Sequence, residues 1–309
     1  MGIRILATGS YLPPGVITND DFAARIDTSD EWIRKRTGIG ERRFAVDQDT
    51  SDLALEAARI ALERAGCNQE IKLVITASFT PDRIMPNISS YIVNQLGLPE
   101  GAFAFDVNMA CTGFVGALRI AEGLLEPGQK ALVLAAEVIS KHLDPGDRST
   151  LVLFGDGAGG VVLEKTAPKM HFDCGTLPGY ENLTMMGGNL KELDHFLRMN
   201  GKEVFRFAAT YVPITVNQTL RDYGLEADQV DHYVFHQANQ RILDHVAKSL
   251  GIGVEKFYMN LDRYANTSAA SIPLVLDEMN EKGLLKEKDL ILLVGFGSGL
   301  SYCSTLIEW

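Results

Sequence analysis

The sequence predicts an α/β protein built from two similar halves. Three observations carry that reading. Strand-like runs alternate with helical patterns along most of the chain. The order of segments before residue 169 recurs after it, and 309 residues exceed one average domain. The halves are drawn at 1–168 and 169–309.

In the first half, strands are expected at IRILATGS, KLVITAS, AFDV, KALVLAAE and GGVVLEK. In the second they are expected at MHFDC, DHYVFH, KFYMN, DLILLVGF and YCSTLIE. TSDLALEAARIALERAG reads as a helix capped at Thr50 or Ser51 and stopped by Gly66. After Cys111, the residues Phe114, Leu118, Ala121 and Leu125 fall on one helical face. A helix opened by Asn266 is expected to kink at Pro273, which cannot donate its hydrogen bond. Residues 176–200 read as a loop or cap.

Composition narrows the function. The chain is 46% hydrophobic and 22% charged, enough to bury a large core, and its formal net charge of −11 argues against a nucleic-acid binder. No apolar run reaches the roughly 18 residues of a membrane span, and the N-terminus does not read as a signal peptide, so a cytoplasmic protein is expected. The four cysteines, Cys67, Cys111, Cys174 and Cys303, are scattered without a CxxC pair, which suggests neither a disulfide framework nor a zinc site.

Cys111 stands apart from the other three. It lies where a small-residue turn, NMACTG, meets the start of a helix, whose unsatisfied N–H groups and positive end are expected to ease ionisation of a thiol. Ala110, Thr112 and Gly113 leave room for a carbonyl to approach. Among six histidines, His236 ends the apolar run YVFH just where a strand gives way to polar residues, a natural place for a catalytic partner. His232 completes an HxxxH, but that spacing suits metal on a helix rather than on a strand. Asn266 reads either as an N-cap or as an amide donor beside His236. FGDGAGG contains a literal GxGxxG, yet it leads into a strand, so it reads with GFGSG as a tight turn where backbones approach closely.

Cys111 in ACTGF, His236 in HQANQRI and Asn266 in NTSAAS form an ordered set that resembles the β-ketoacyl-acyl carrier protein synthase III family. ATGSYLP, TSDEWIRKRTGI, FGDGAGG, DRYANTSAAS and GFGSG extend the resemblance over nearly the whole chain. It implies a thiolase-like fold with layers in the order α-β-α-β-α, assembled as a homodimer. It also implies a decarboxylative condensation of a short acyl-CoA primer with malonyl-acyl carrier protein, with coenzyme A as substrate and neither metal nor cofactor. A related condensing enzyme of secondary metabolism, with another primer or with malonyl-CoA, is the alternative.

The resemblance also assigns roles. Cys111 is the nucleophile, and His236 and Asn266 hydrogen-bond the malonyl thioester carbonyl. The backbone of Ser298 serves the oxyanion beside an apolar wall at Phe296. Trp32, Arg36, Thr37 and Arg148 bind CoA, with the adenine between Trp32 and Arg148. Arg206, Arg241 and Lys248 face the carrier protein, and Met85 reaches the acyl pocket of the partner subunit. Asp82 is a loose candidate for the extra acid of a hydroxymethylglutaryl-CoA synthase. Ala265 departs from the family, which commonly has glycine before the asparagine.

Overall fold

Two mixed sheets form the frame in the computed structural model, which describes residues 2–187 and 195–309. The first sheet contains β1 (Ile3–Tyr11), β2 (Ile71–Ala77), β3 (Phe103–Val107), β4 (Lys130–Glu137) and β5 (Gly157–Lys165), in the order β1-β5-β4-β2-β3. Its β4, β2 and β3 run parallel, while β5 is antiparallel to both neighbours. The second contains β6 (Phe172–Thr176), β7 (His232–Phe235), β8 (Leu290–Gly297) and β9 (Ser301–Glu308), in the order β7-β8-β9-β6. The last strand of the first sheet ends at Lys165 and the first strand of the second begins at Phe172.

Six of the ten α-helices among the described residues carry the layers and the site: α1 (Asp30–Thr37), α2 (Thr50–Ala65), α3 (Gly113–Leu124), α4 (Gly201–Tyr223), α5 (Gln240–Leu250) and α6 (Ser271–Glu281). Alternate strand residues sort them. Leu73 and Ile75 of β2 join Phe114 and Leu118 of α3, Ile272 and Leu276 of α6, and Val234 and Leu293 of the second sheet in one cluster. The opposite face, Val74 and Leu132, packs on Leu53 and Leu62 of α2. Leu292 and Val294 turn outward against Val212 of α4 and Val246 of α5. The layers therefore run α2, first sheet, α3 with α6, second sheet, α4 with α5. Because both faces of each sheet are covered, the central strands read as nearly continuous apolar runs.

Small residues set how closely the layers approach. On α2, Ala57 and Ala61 lie against β1, where a Cβ on Gly9 would come within 2.5 Å of the Ala57 carbonyl. The helix starts one residue earlier than expected, at an N-cap formed by Asp49 in a reciprocal capping box with Asp52, and Gly66 ends it in the left-handed conformation.

Four expectations are corrected. KFYMN is not a strand: a 3-10 turn occupies Val254–Lys256, and Phe257 makes a single bridge to Tyr233. Its apolar character serves packing, since the Phe257 ring lies 5.1 Å from Tyr233 and 5.0 Å from Phe235. Pro273 does not kink a helix, because α6 begins at Ser271 and puts the proline in the first turn, where no intrahelical N–H is needed. Cys174 and Cys303 are not separate packing residues. They face each other across the antiparallel β6–β9 pair and form a disulfide, a contact set by strand register and invisible in their separation of 129 residues.

Finally, the glycines of FGDGAGG and GFGSG lie largely within β5 and β8 rather than in turns; the close backbone approach expected of them is present. Residues 176–200 contain a 3-10 turn at Tyr180–Asn182 and the short strand pair Leu183–Thr184 with Arg198–Met199, while 188–194 lie outside the described residues.

Candidate active site

The centre of the molecule is where the starts of α3 and α6 meet the end of β8. Cys111 sits in the 3-10 turn Ala110–Thr112 that runs into α3, and Asn266 lies just before the 3-10 turn Ser268–Ala270 that runs into α6. Three of the four described non-glycine residues with positive φ are here: Ala110 at 44°, Ala265 at 57° and Ser268 at 50°. Strain of this kind persists where surrounding structure over-determines the backbone, and it concentrates at functional sites. Gly297 supplies the missing space: a Cβ there would stand 2.9 Å from Cys111 Sγ.

The sulfur is buried and surrounded by donors. Ser268 Oγ donates to it at 3.4 Å, and the backbone N–H groups of Cys111 and Ser298 are directed at it. Burial nevertheless, joined by the nearby Glu137 carboxylate, pushes the thiol up to about 11. This corrects the expectation of a readily ionised sulfur: loss of water outweighs the donors at the helix start. Burial likewise pushes the His236 imidazole down to about 3. The resting pair at neutral pH is a thiol and a neutral imidazole.

His236 follows β7, and its ring edge meets Phe296 at 5.3 Å between centroids. Its Nδ1 lies 2.8 Å from Ser271 Oγ, which also lies 2.8 Å from the Ser268 carbonyl oxygen. The serine has one proton for these two neighbours. Given to Nδ1, it leaves Nε2–H as a donor; given to the carbonyl, it leaves Nε2 as an acceptor. Asn266 is fixed by its oxygen, which accepts from the Ser268 N–H at 2.9 Å, so its NH₂ is the group left to donate.

A cavity of about 500 Å³ joins Cys111, His236, Asn266 and Phe296 to Trp32, Arg36, Thr37 and Arg241 at its outer end. The sequence reading missed Ser149, Lys202 and Asn239 on its wall. A second chamber of about 340 Å³, largely apolar, opens beside Cys111 and is lined by Phe79, Phe154, Leu183, Met185 and Leu197. The sequence reading did not single out Ser268, Ser271, Phe79 or Glu137; they reach the site from segments with no pattern of their own.

The remaining candidates divide. Trp32, Arg36 and Thr37 share α1, with the Thr37 hydroxyl already donating to the Ile33 carbonyl at 2.7 Å. Arg148 stands 4.4 Å and Arg36 4.7 Å from the Trp32 ring centroid. The slot expected to hold adenine between Trp32 and Arg148 is thus closed by the guanidinium itself. Arg206 on α4 and Arg241 and Lys248 on α5 are exposed on two packed helices, with Arg206 paired to Glu203 at 2.5 Å. Met85, 84% exposed next to Ile84 at 98%, does not line either cavity of its own chain. Asp82 is engaged as a helix cap, accepting from the Ser51 N–H at 3.0 Å and Oγ at 2.9 Å, which removes it as an active-site acid. His232 lies 3.2 Å from Asp289.

Comparison with known proteins settles the family. Residues 105–177 match the model of 3-oxoacyl-[acyl-carrier-protein] synthase III, and residues 220–309 match that of its C-terminal part. A β-ketoacyl-[acyl-carrier-protein] synthase III of Clostridium botulinum is 43% identical over 99% of this chain and 98% of its own. The chain belongs to the β-ketoacyl-acyl carrier protein synthase III family. It is accordingly an acyl-transferring condensing enzyme with the thiolase-like fold. The synthase III structure of Pseudomonas aeruginosa superposes with a TM-score of 0.93 at 38% identity, covering 100% of this chain and 98% of that one. The priming β-ketosynthase of the R1128 polyketide pathway also superposes at 0.93, with 34% identity over 99% and 96%. Among the described residues of this condensing enzyme, no helix is long and apolar enough to cross a membrane.

Proposed function

We propose that the enzyme initiates fatty acid synthesis by moving a short acyl group from coenzyme A to Cys111 and condensing it with malonyl-acyl carrier protein. The observation that carries this reading is the single cavity that joins the surface at Trp32 to Cys111, His236 and Asn266.

In the first step the Cys111 sulfur attacks the thioester carbonyl. The C–S bond to CoA breaks, and the thiol proton leaves with the CoA sulfur. The N–H groups of Cys111 and Ser298, directed at the sulfur, would receive the oxyanion in this scheme. In the second step the malonyl thioester carbonyl accepts from Asn266 and from His236 in its Nε2–H form. Carbon dioxide departs, the enolate carbon bonds to the acyl carbonyl carbon, and the acyl C–S bond breaks, releasing the Cys111 sulfur, which regains a proton from solvent. Phe296 is buried beside the imidazole, and an apolar wall there disfavours the malonyl carboxylate. No metal or cofactor has a part in this scheme. It divides the work between halves 1–168 and 169–309, the first giving the sulfur and the second the imidazole and amide.

The nucleotide enters at α1, where it must displace Arg148 from the Trp32 ring before stacking there. The carrier protein docks where Arg206, Arg241 and Lys248 give an acidic enzyme a local basic face. The exposed Ile84–Met85 tip and the half-exposed Phe103 on edge strand β3 support a homodimer in which Met85 reaches the partner's acyl chamber. We place this work in the cytoplasm. The test is intact mass spectrometry with a panel of acyl-CoA donors, followed by malonyl-acyl carrier protein or malonyl-CoA. A Cys111 adduct that condenses with the carrier-bound malonyl group is expected; condensation with malonyl-CoA alone would assign the enzyme to secondary metabolism.

A further inference from the structure

Glu137 ends β4 completely buried, and its donors come from three consecutive residues. Its Oε2 accepts from Thr80 Oγ1 at 2.6 Å, from the Thr80 N–H at 3.2 Å, and from Ser78 Oγ and the Phe79 N–H at 3.3 Å each. The same turn is held from its other side. Thr50 Oγ1, at the start of α2, donates to the Thr80 carbonyl at 2.5 Å, and the Val138 N–H donates to Thr80 Oγ1 at 3.0 Å.

Both oxygens of Glu137 accept from the Phe79 N–H at 3.3 Å, so an amide in its place would turn an NH₂ toward that donor. Burying a carboxyl is costly, so an acid here needs a reason. Phe79 supplies one. It is the residue held between the two clamped neighbours, and it lines the apolar chamber beside Cys111 while packing against the cluster of Phe154, Leu183 and Leu197. Anything that loosens residues 78–80 loosens that wall.

We propose that Glu137 is a positioning residue that holds Phe79 against the acyl chamber, and that Phe79 limits the size of the acyl group the enzyme accepts. This rests on the acyl-transfer reading of Cys111. A wall that stops a chain discriminates by what it excludes, whereas each methylene that finds room gains roughly fourfold in binding. Removing the ring therefore changes selectivity among donors rather than the rate with all of them.

The experiment follows Cys111 adduct formation by intact mass with acetyl-, butyryl-, hexanoyl- and octanoyl-CoA. Phe79→Ala is expected to raise the hexanoyl-to-acetyl rate ratio by about tenfold or more. Glu137→Gln is expected to move that ratio the same way, and to add little on top of Phe79→Ala, because the ring through which it acts has gone. Should Glu137→Gln not fold, Thr80→Val decides in its place: it broadens selectivity, while Thr80→Ser, which keeps the hydroxyl, retains the wild-type ratio. An unchanged ratio in Phe79→Ala overturns the proposal. So does a Glu137→Gln or Thr80→Val variant that slows every donor by one common factor. Wild-type protein that takes an adduct from no donor would instead overturn the acyl-transfer reading on which the proposal stands.

Discussion

A Cβ on Gly297 would stand 2.9 Å from Cys111 Sγ and 2.9 Å from Cys111 Cβ. The sulfur can occupy the end of β8 because that residue has no side chain. Gly297→Ala is expected to lower adduct formation by about a hundredfold, since displacement of a reacting group by about 1 Å costs that much. Single-turnover acylation, with the unfolding temperature measured alongside, checks it; retained acylation would mean the neighbouring backbone gives way.

Burial at Cys111 predicts a pH profile. An acid pushed up to about 11 is ionised only in small part at neutral pH, and that fraction rises tenfold with each pH unit. Alkylation of Cys111 by iodoacetamide in the free enzyme is therefore expected to keep rising from pH 6 to 9. A plateau near pH 7 would show the thiol ionising as its place at the start of a helix first suggested.

His236 and Asn266 serve the second step in the proposed scheme, so their loss should separate the steps. His236→Ala is expected to keep the acyl adduct and to lower condensation by about 10² to 10³, the cost of one donor to a developing oxyanion. Ser271→Ala, which removes the partner of Nδ1 at 2.8 Å, should lower condensation by a smaller factor in the same assay. Equal loss of both steps would contradict the division.

Ala265 has φ 57° and ψ −159°, a conformation that suits glycine alone. Ala265→Gly relieves that strain but adds backbone freedom to the unfolded chain. The net expectation is a gain of about 1 kcal/mol in urea unfolding. No gain would mean that contacts of the Ala265 methyl offset the strain.

At the outer end of the cavity, Trp32→Ala is expected to raise the KM for acyl-CoA about tenfold or more while changing kcat little, the signature of binding lost equally from ground and transition states. In a complex with CoA, the gap between Arg148 and the Trp32 ring should open from 4.4 Å to about 7 Å, two stacking distances. A bound nucleotide with that gap unchanged would place the adenine elsewhere.

The strands that the sequence marked by apolar runs, such as KLVITAS and DLILLVGF, are present because burial on both faces leaves a strong local signal. KFYMN misled for a related reason: aromatic packing and strand formation ask for the same residues. Cys111, His236 and Asn266 were legible because each stands in a motif at a junction between elements. Glu137, Ser268 and Ser271 were not, since their meaning lies in partners reached through the fold.

The order of most elements and the three side chains that meet in one cavity were thus marked by the sequence itself, through periodicity and short motifs. Only the tertiary structure decided how acidic the thiol is, which cysteines pair, whether the Trp32 slot stands open and what holds Phe79 in place. Those properties depend on desolvation, strand register and hydrogen bonds between distant segments, such as Ser268 and Cys111, 157 residues apart, and none of them leaves a trace in local composition.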